Sequence, residues 1–245
     1  MVNGVKVQSE AGVPQGGPLS PLLANIILNE ADQELEEWGY KFVRYADDIL
    51  IFARNRKVAE RYYKRIKKYL EKELRLKVNE EKSEIRRLNQ TKYLGYGFYK
   101  SKGWQFKVHP DSMKRFKAKL KEATGRSNGM GHEYRKIKLN QVVRGWIQYF
   151  KLANMKSHMQ ELDEWLRRRI RMCIWKYWKK VRTKFKYLKQ LGINPSKAWE
   201  WANSRKSYWR VAGSWILTRA LPNKIIAKAG YISLLDYYQK VHIKL

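Results

Sequence analysis

At 245 residues the chain is long enough to bury a sizeable core in one large domain or two ordinary ones. Its 53 lysines and arginines against 22 aspartates and glutamates leave a formal net charge of +31, which calls for a polyanionic partner. The single cysteine, Cys173, excludes an intramolecular disulfide and a cysteine-built zinc site, and no apolar run nears the roughly 20 residues that span a bilayer, so the sequence reads as soluble and intracellular, cytoplasmic or held on the nucleoid.

Residues 18–21 predict a helix start, with Ser20 capping exposed backbone N–H groups and Pro21 at the first helical position. Leu22, Leu23, Ile26, Ile27, Ala31 and Leu35 follow at helical spacing, and Gly39 closes the helix. Two short segments rich in Val, Ile, Phe and Tyr flank Asp47 and Asp48, predicting a β-hairpin with carboxylates at its tip. Over 57–74 the residues Ala59, Tyr62, Tyr63, Ile66, Tyr69 and Leu70 mark one face of a basic amphipathic helix. Residues 76–88 read as a strand, a turn near Asn79 and a strand, and 92–108 as a second hairpin interrupted by Gly95, Gly97 and Gly103. This order predicts an α+β layer on an antiparallel sheet over 1–108.

After Pro110 the pattern changes to long basic helices, about 111–124, 133–153 and 158–190, then shorter ones with turns near Pro195, Pro222 and Gly230. In the third, Leu162, Trp165, Leu166, Ile170, Cys173, Ile174, Tyr177 and Val181 can share an apolar face while Arg167, Arg168, Arg171, Lys179 and Arg182 point elsewhere. An all-helical region at 109–190 and a basic helical extension at 191–245 are expected. Residues 111–245 hold 32 basic against 8 acidic side chains and eight of the ten tryptophans, so polyanion affinity should reside mainly there.

Adjacent carboxylates on a tight turn raise each other's pKa unless cations neutralise them, and a divalent metal is the usual solution. Tyr45-Ala46-Asp47-Asp48 has that form, although a lone Asp-Asp pair is more often a solvated turn. Context shifts the balance. Residues 11–26, with Gly12, Gly16 and Gly17 ahead of the first helix, resemble motif B of reverse transcriptases, and 42–52 resemble motif C. Residues 79–82 resemble motif D and 93–98 the primer grip. Arg144-Gly145-Trp146-Ile147-Gln148-Tyr149-Phe150 resembles the signature of the maturase, or thumb, region of group II intron-encoded proteins. The sequence is identified as a member of that family on all five segments in the family's order.

The resemblance implies a partial polymerase palm followed by an all-helical thumb. It implies RNA-templated DNA synthesis with two Mg²⁺ ions, deoxynucleoside triphosphates and an RNA template carrying a DNA primer, and binding of the group II intron RNA in splicing and retrohoming. Asp47 and Asp48 would hold the metals, and Lys82 would be a candidate general acid. Pro14, Gln15, Gly16, Gly17, Tyr45 and Ala46 would shape the nucleotide and template pocket, Gln15 being equally readable as a polar turn residue. Tyr93, Leu94, Gly95 and Tyr96 would grip the primer, while Arg144, Arg167, Arg168, Arg169, Arg171, Lys179, Lys180 and Arg182 would meet RNA. The arginine run also suits a merely solvated helix face, and Trp146, Tyr149 and Phe150 suit packing between helices better than stacking on bases. Family members carry a further metal-binding aspartate and finger residues before motif B, and only ten residues precede Ala11. The chain alone is therefore expected not to extend a primer, and to self-associate or capture an N-terminal fragment. Two alternatives stay open: an RNA-binding splicing factor that makes no DNA, and a retron-type or domesticated reverse transcriptase.

Overall fold

The computed structural model describes residues 19–243, which form an α+β fold: a partial palm with antiparallel strands, then an all-helical region. Packing divides the chain into two compact units, one ending at Arg87 and the other beginning at Leu88. No helix among the described residues is long and apolar enough to cross a membrane.

The first unit contains α1 (Ser20–Glu37), β1 (Lys41–Tyr45), β2 (Asp48–Phe52) and α2 (Arg56–Lys72). Ser20 is not the cap: Leu19 takes that position, and Ser20 and Pro21 are already helical. A side-chain cap needs a non-helical backbone at the capping residue, and Leu19 is itself in the right-handed helical region (φ −83°, ψ −20°). At the other end Gly39, with φ +70°, donates to Glu36 O (2.8 Å) and Tyr40 N–H to Leu35 O (3.0 Å), the paired bonds of a Schellman stop. The predicted apolar face is real in spacing, but only Ala31 and Leu35 are buried, while Leu22, Leu23, Ile26 and Ile27 stay 41–58% exposed. α2 is capped by the Asn55 side chain, which accepts from Val58 N–H, and turns Ile66 into the core.

The strands expected over 76–88 do not form; a turn at 80–82 is present, with Asn79 Oδ1 accepting from Lys82 N–H. Leu74, Leu76 and Val78, then Ser83 and Ile85, are half-buried in alternation, so the pattern that suggests strands survives as burial. Among the described residues no neighbouring backbone pairs with this stretch, and alternation alone does not supply one.

In the second unit β3 (Lys92–Tyr93), β4 (Tyr96–Lys100) and β5 (Trp104–Val108) make a three-stranded meander rather than one hairpin. Leu94 (φ +50°) and Gly95 (φ +80°) form the β3–β4 turn, whose positive φ values at both central residues are those of a type I′ turn. Then come α3 (Pro110–Ala123), α4 (His132–Tyr149), α5 (Lys156–Tyr177), α6 (Val181–Gln190), α7 (Pro195–Ala202), α8 (Tyr208–Ala212), α9 (Trp215–Ala220), α10 (Asn223–Lys228) and α11 (Leu234–Val241).

The helix expected over 158–190 is two helices. Trp178 leaves helical geometry (φ −76°, ψ +54°) to bury its ring against Trp175 and Tyr187, 5.9 and 5.0 Å away by centroid, and Lys180 is extended. Aromatic burial outweighs the continuous periodicity at this point. α5 serves two cores. Leu162, Leu166 and Ile170 pack with Phe116, Val143, Ile147 and Leu234, and Cys173 and Trp175 pack with Leu188, Trp201, Val211 and Leu217. Residues 191–243 thus complete both cores, with α8 and α11 lying directly on α5.

Candidate functional site

The β1–β2 hairpin pairs Tyr45 with Asp48 across a two-residue turn of Ala46 and Asp47. Ala46 has φ +53°, so the turn bends sharply without a glycine, and Tyr45, Ala46, Asp47 and Asp48 are all exposed at its tip. Sequence reasoning missed what fixes this turn. Arg44, beside it on β1, donates from Nε to both carboxylate oxygens of Asp32 on α1 (2.8 and 2.9 Å). Its Nη1 donates to Asn25 Oδ1 and to the turn carbonyl of Ala46, 3.0 Å each. The ion pair is largely buried, so the guanidinium fork ties the turn at 45–48 to α1. The sequence carries little signal for this pair, since Asp32 stands among Glu30, Glu34 and Glu36 and β1 also holds Lys41.

Asp47 and Asp48 are hard oxygen donors on adjacent residues, which suits Mg²⁺, an ion that keeps several waters. Among the described residues no three His, Cys, Asp or Glu groups converge. Lys82 sits exposed in the turn at 80–82. Pro14, Gln15, Gly16 and Gly17 lie outside the described residues.

In the second unit the turn at 93–96 is clamped to the helices. Tyr96 OH donates to Tyr149 O at the end of α4, and Tyr149 OH donates back to Leu94 O (3.0 Å). Gly95 O accepts from Ser112 Oγ (3.1 Å) and His109 N–H (3.0 Å). The residues resembling a primer grip and those resembling a maturase signature therefore share one hydrogen-bonded contact. Trp146 and Phe150 pack as expected, Trp146 stacked on Phe116 at 4.0 Å and Phe150 buried against Tyr96, whereas Tyr149 leaves 54% of its surface exposed. Gly95→Ala should disrupt this clamp, because a Cβ would lie 2.9 Å from Ser112 Oγ and 3.1 Å from Phe150 Cζ at a φ that side chains avoid. We expect a lower melting temperature and a raised apparent KM for primer in the whole protein. Unchanged values for both would show that the turn tolerates displacement.

Burial, reinforced by the neighbouring Tyr149, pushes the Tyr96 phenol up to about 12, and burial does the same for Tyr231. Both phenols are therefore protonated in the fold when the unfolded chain is already losing protons near pH 10. Their contribution to stability is complete below about pH 10 and is lost as pH rises towards 12. Thermal melts between pH 9 and 12 should fall more steeply for the native sequence than for Tyr96→Phe/Tyr231→Phe; equal slopes would contradict this.

The basic residues separate by environment. Arg144, Lys179, Lys180 and Arg182 are exposed. Arg171 is buried, donating to Leu221 O (2.9 Å) and Asn223 Oδ1 (2.8 Å), so it does not point away from the apolar face as expected. The reason is that the Leu221 carbonyl and the Asn223 side-chain oxygen, at the start of α10, are acceptors that a long guanidinium can reach. Arg168 stacks on Trp209 at 4.0 Å and donates to its carbonyl. Arg169 donates to Lys121 O and to Thr124, and Arg167 pairs with Asp163.

Comparison with known proteins locates these features. Residues 2–98 match the reverse transcriptase (RNA-dependent DNA polymerase) family model, and 113–192 match the group II intron, maturase-specific domain. The two matches together support a group II intron-encoded reverse transcriptase/maturase, with a reverse transcriptase segment followed by a maturase-specific one. All four polymerase-like segments fall inside the first match and the 144–150 segment inside the second. Protein YkfC of Escherichia coli (strain K12) is 32% identical over a stretch covering 32% of this chain; the chain spans 29% of that relative's length.

Proposed function

We propose that the whole protein is an RNA-directed DNA polymerase that also binds its group II intron RNA to assist splicing and mobility. The observation that carries this reading is the tight hairpin turn presenting Asp47 and Asp48, anchored by Arg44 to α1. Asp47 and Asp48 would hold Mg²⁺, which when bound supplies Lewis-acid stabilisation to the attacking and leaving oxygens of phosphoryl transfer. The protein's part is placement. Arg44 fixes the turn, Pro14, Gln15, Gly16, Gly17, Tyr45 and Ala46 bound the nucleotide and template pocket, and Lys82 donates a proton to the departing pyrophosphate. The turn at 93–96 orients the primer strand through its attachment to α3 and α4. Palm function is assigned to 1–108, thumb and intron binding to 109–190, and support of both cores to 191–245. RNA contact is assigned foremost to Arg144, Lys179, Lys180 and Arg182, whose charges face solvent. Arg167, Arg168, Arg169 and Arg171 add positive potential while holding helices together.

The test is a pair of assays on the whole protein: RNA-templated primer extension with Mg²⁺ and deoxynucleoside triphosphates, and intron splicing at low Mg²⁺. Both activities are expected. Splicing without extension would replace this reading with that of a splicing factor alone.

A further inference from the structure

At the end of the β1–β2 hairpin away from Asp47, where Lys41 pairs with Phe52, a cavity of about 650 Å³ opens between the hairpin and α2. Five-residue strands at about 3.4 Å per residue put it roughly 14 Å from the catalytic turn. Its walls combine two chemistries. Tyr40 and Tyr62 stack on each other at 3.7 Å with their planes 23° apart, and Phe52 at the rim leaves 37% of its surface open. Around them stand Lys41, Arg54 and Arg61, all exposed, and Arg65, whose guanidinium lies 3.8 Å from the Trp38 ring centroid.

Among the described residues no acidic side chain lines this cavity, and no ion pair involves Lys41, Arg54, Arg61 or Arg65. Like charges gathered without counter-charges repel one another, so a fold gains by having an anion there. Guanidinium groups suit phosphate oxygens, and an open aromatic face suits a base of any identity. Several cations spread over both a helix and a hairpin exceed what one phosphate needs. An acidic peptide would meet the charge but leave the aromatic faces unused.

We propose that this cavity is a binding site for a single-stranded nucleic acid segment, gripping two or more consecutive phosphates through Lys41, Arg54 and Arg61 and stacking a base on the Phe52 and Tyr62 rings. It is separate from the Asp47 turn and does not depend on polymerase activity.

The experiment uses the full chain and a short oligouridylate carrying 4-thiouridine, with photo-crosslinked peptides mapped by mass spectrometry and affinity measured across a salt series. Crosslinks are expected within 38–65. Lys41→Gln/Arg54→Gln/Arg61→Gln should remove them and lower the slope of log K against log salt by about 2, at about 0.7 per lost phosphate contact on a single strand. The same number of charges removed from exposed α2 positions, Lys64→Gln/Lys68→Gln/Lys72→Gln, should leave those crosslinks in place. Phe52→Ala, which changes no charge, should lower crosslink yield without altering the slope. Melting curves of the two triple variants should match, since surface substitutions away from special features change stability little, and crosslink yield for Phe52→Ala is compared at a temperature where its melting curve shows it folded. The proposal is overturned if crosslinks map only to 88–245, if the two triple variants behave alike, or if uridine monophosphate at equal nucleotide concentration competes as well as the strand. The last result would make the cavity a mononucleotide site.

Discussion

Asp47→Ala should reduce RNA-templated primer extension by the whole protein at least about a hundredfold, the scale of loss when reacting groups are misplaced by about 1 Å. RNA binding and the melting temperature should hardly change. Asp47 is exposed in the turn, so truncation removes little packing. The turn's shape is set by other groups: the Tyr45–Asp48 pairing and the Arg44 bond to Ala46 O. What disappears is one of the two adjacent hard oxygen donors proposed to hold Mg²⁺, whose geometry would depend on both. Splicing at low Mg²⁺ should persist, because RNA contact is assigned to other residues. Extension within a few-fold of the unsubstituted protein would remove Asp47 from the catalytic assignment; lost extension with lost splicing and unfolding would make the residue structural.

Asp163→Ala should destabilise the second unit by about 3–5 kcal/mol, the usual cost of removing one partner from a buried ion pair. For a unit of this size that is a fall in melting temperature on the order of 10 °C. Asp163 lies on α5 with a side chain only 12% exposed. It accepts from Arg167 Nε (2.8 Å), Leu234 N–H (2.8 Å) and Ser233 Oγ (3.2 Å). Truncation strands a buried guanidinium and the first backbone donor of α11 together. α11 is also held by Leu234, by Tyr238, whose OH donates to Ala153 O (3.0 Å), and by bonds from His242 and Ile243 to Lys151 O; with its N-terminal anchor lost, limited proteolysis should cut between 229 and 243 first. A melting temperature within about 2 °C of the original would show that the ion pair is worth no more than an exposed one.

Where periodicity is strong and local, the sequence foretells structure well. The Asp-Asp hairpin, α2, α3 and the start of α4 and α5 all stand where spacing places them. The departures are non-local. Arg44 meets Asp32 twelve positions away, and Arg171 meets Leu221 fifty positions away; a charged residue in a periodic helix says nothing about which carbonyl it will find. Trp178 interrupts a continuous helical pattern because its burial site is formed by Tyr187, a residue that becomes a neighbour only after the break. The Leu22–Ile27 face is apolar in sequence and exposed in the first unit, since spacing reports that a face can be covered and not what covers it. The alternation at 74–85 shows the same limit for strands.

The two bonds from Tyr96 OH to Tyr149 O and from Tyr149 OH to Leu94 O have a bearing on how these proteins change over time. A residue in the polymerase-like stretch and one in the maturase-like stretch each satisfy the other's backbone or its neighbour's. Selection for splicing alone would then preserve the turn at 93–96, because losing it would unseat the end of α4. A lineage that stopped copying RNA could let Asp47 drift while Tyr96 and Gly95 stayed fixed. Among descendants, an intact turn at 93–96 would thus record a fold still in use, and only the carboxylates would record the chemistry.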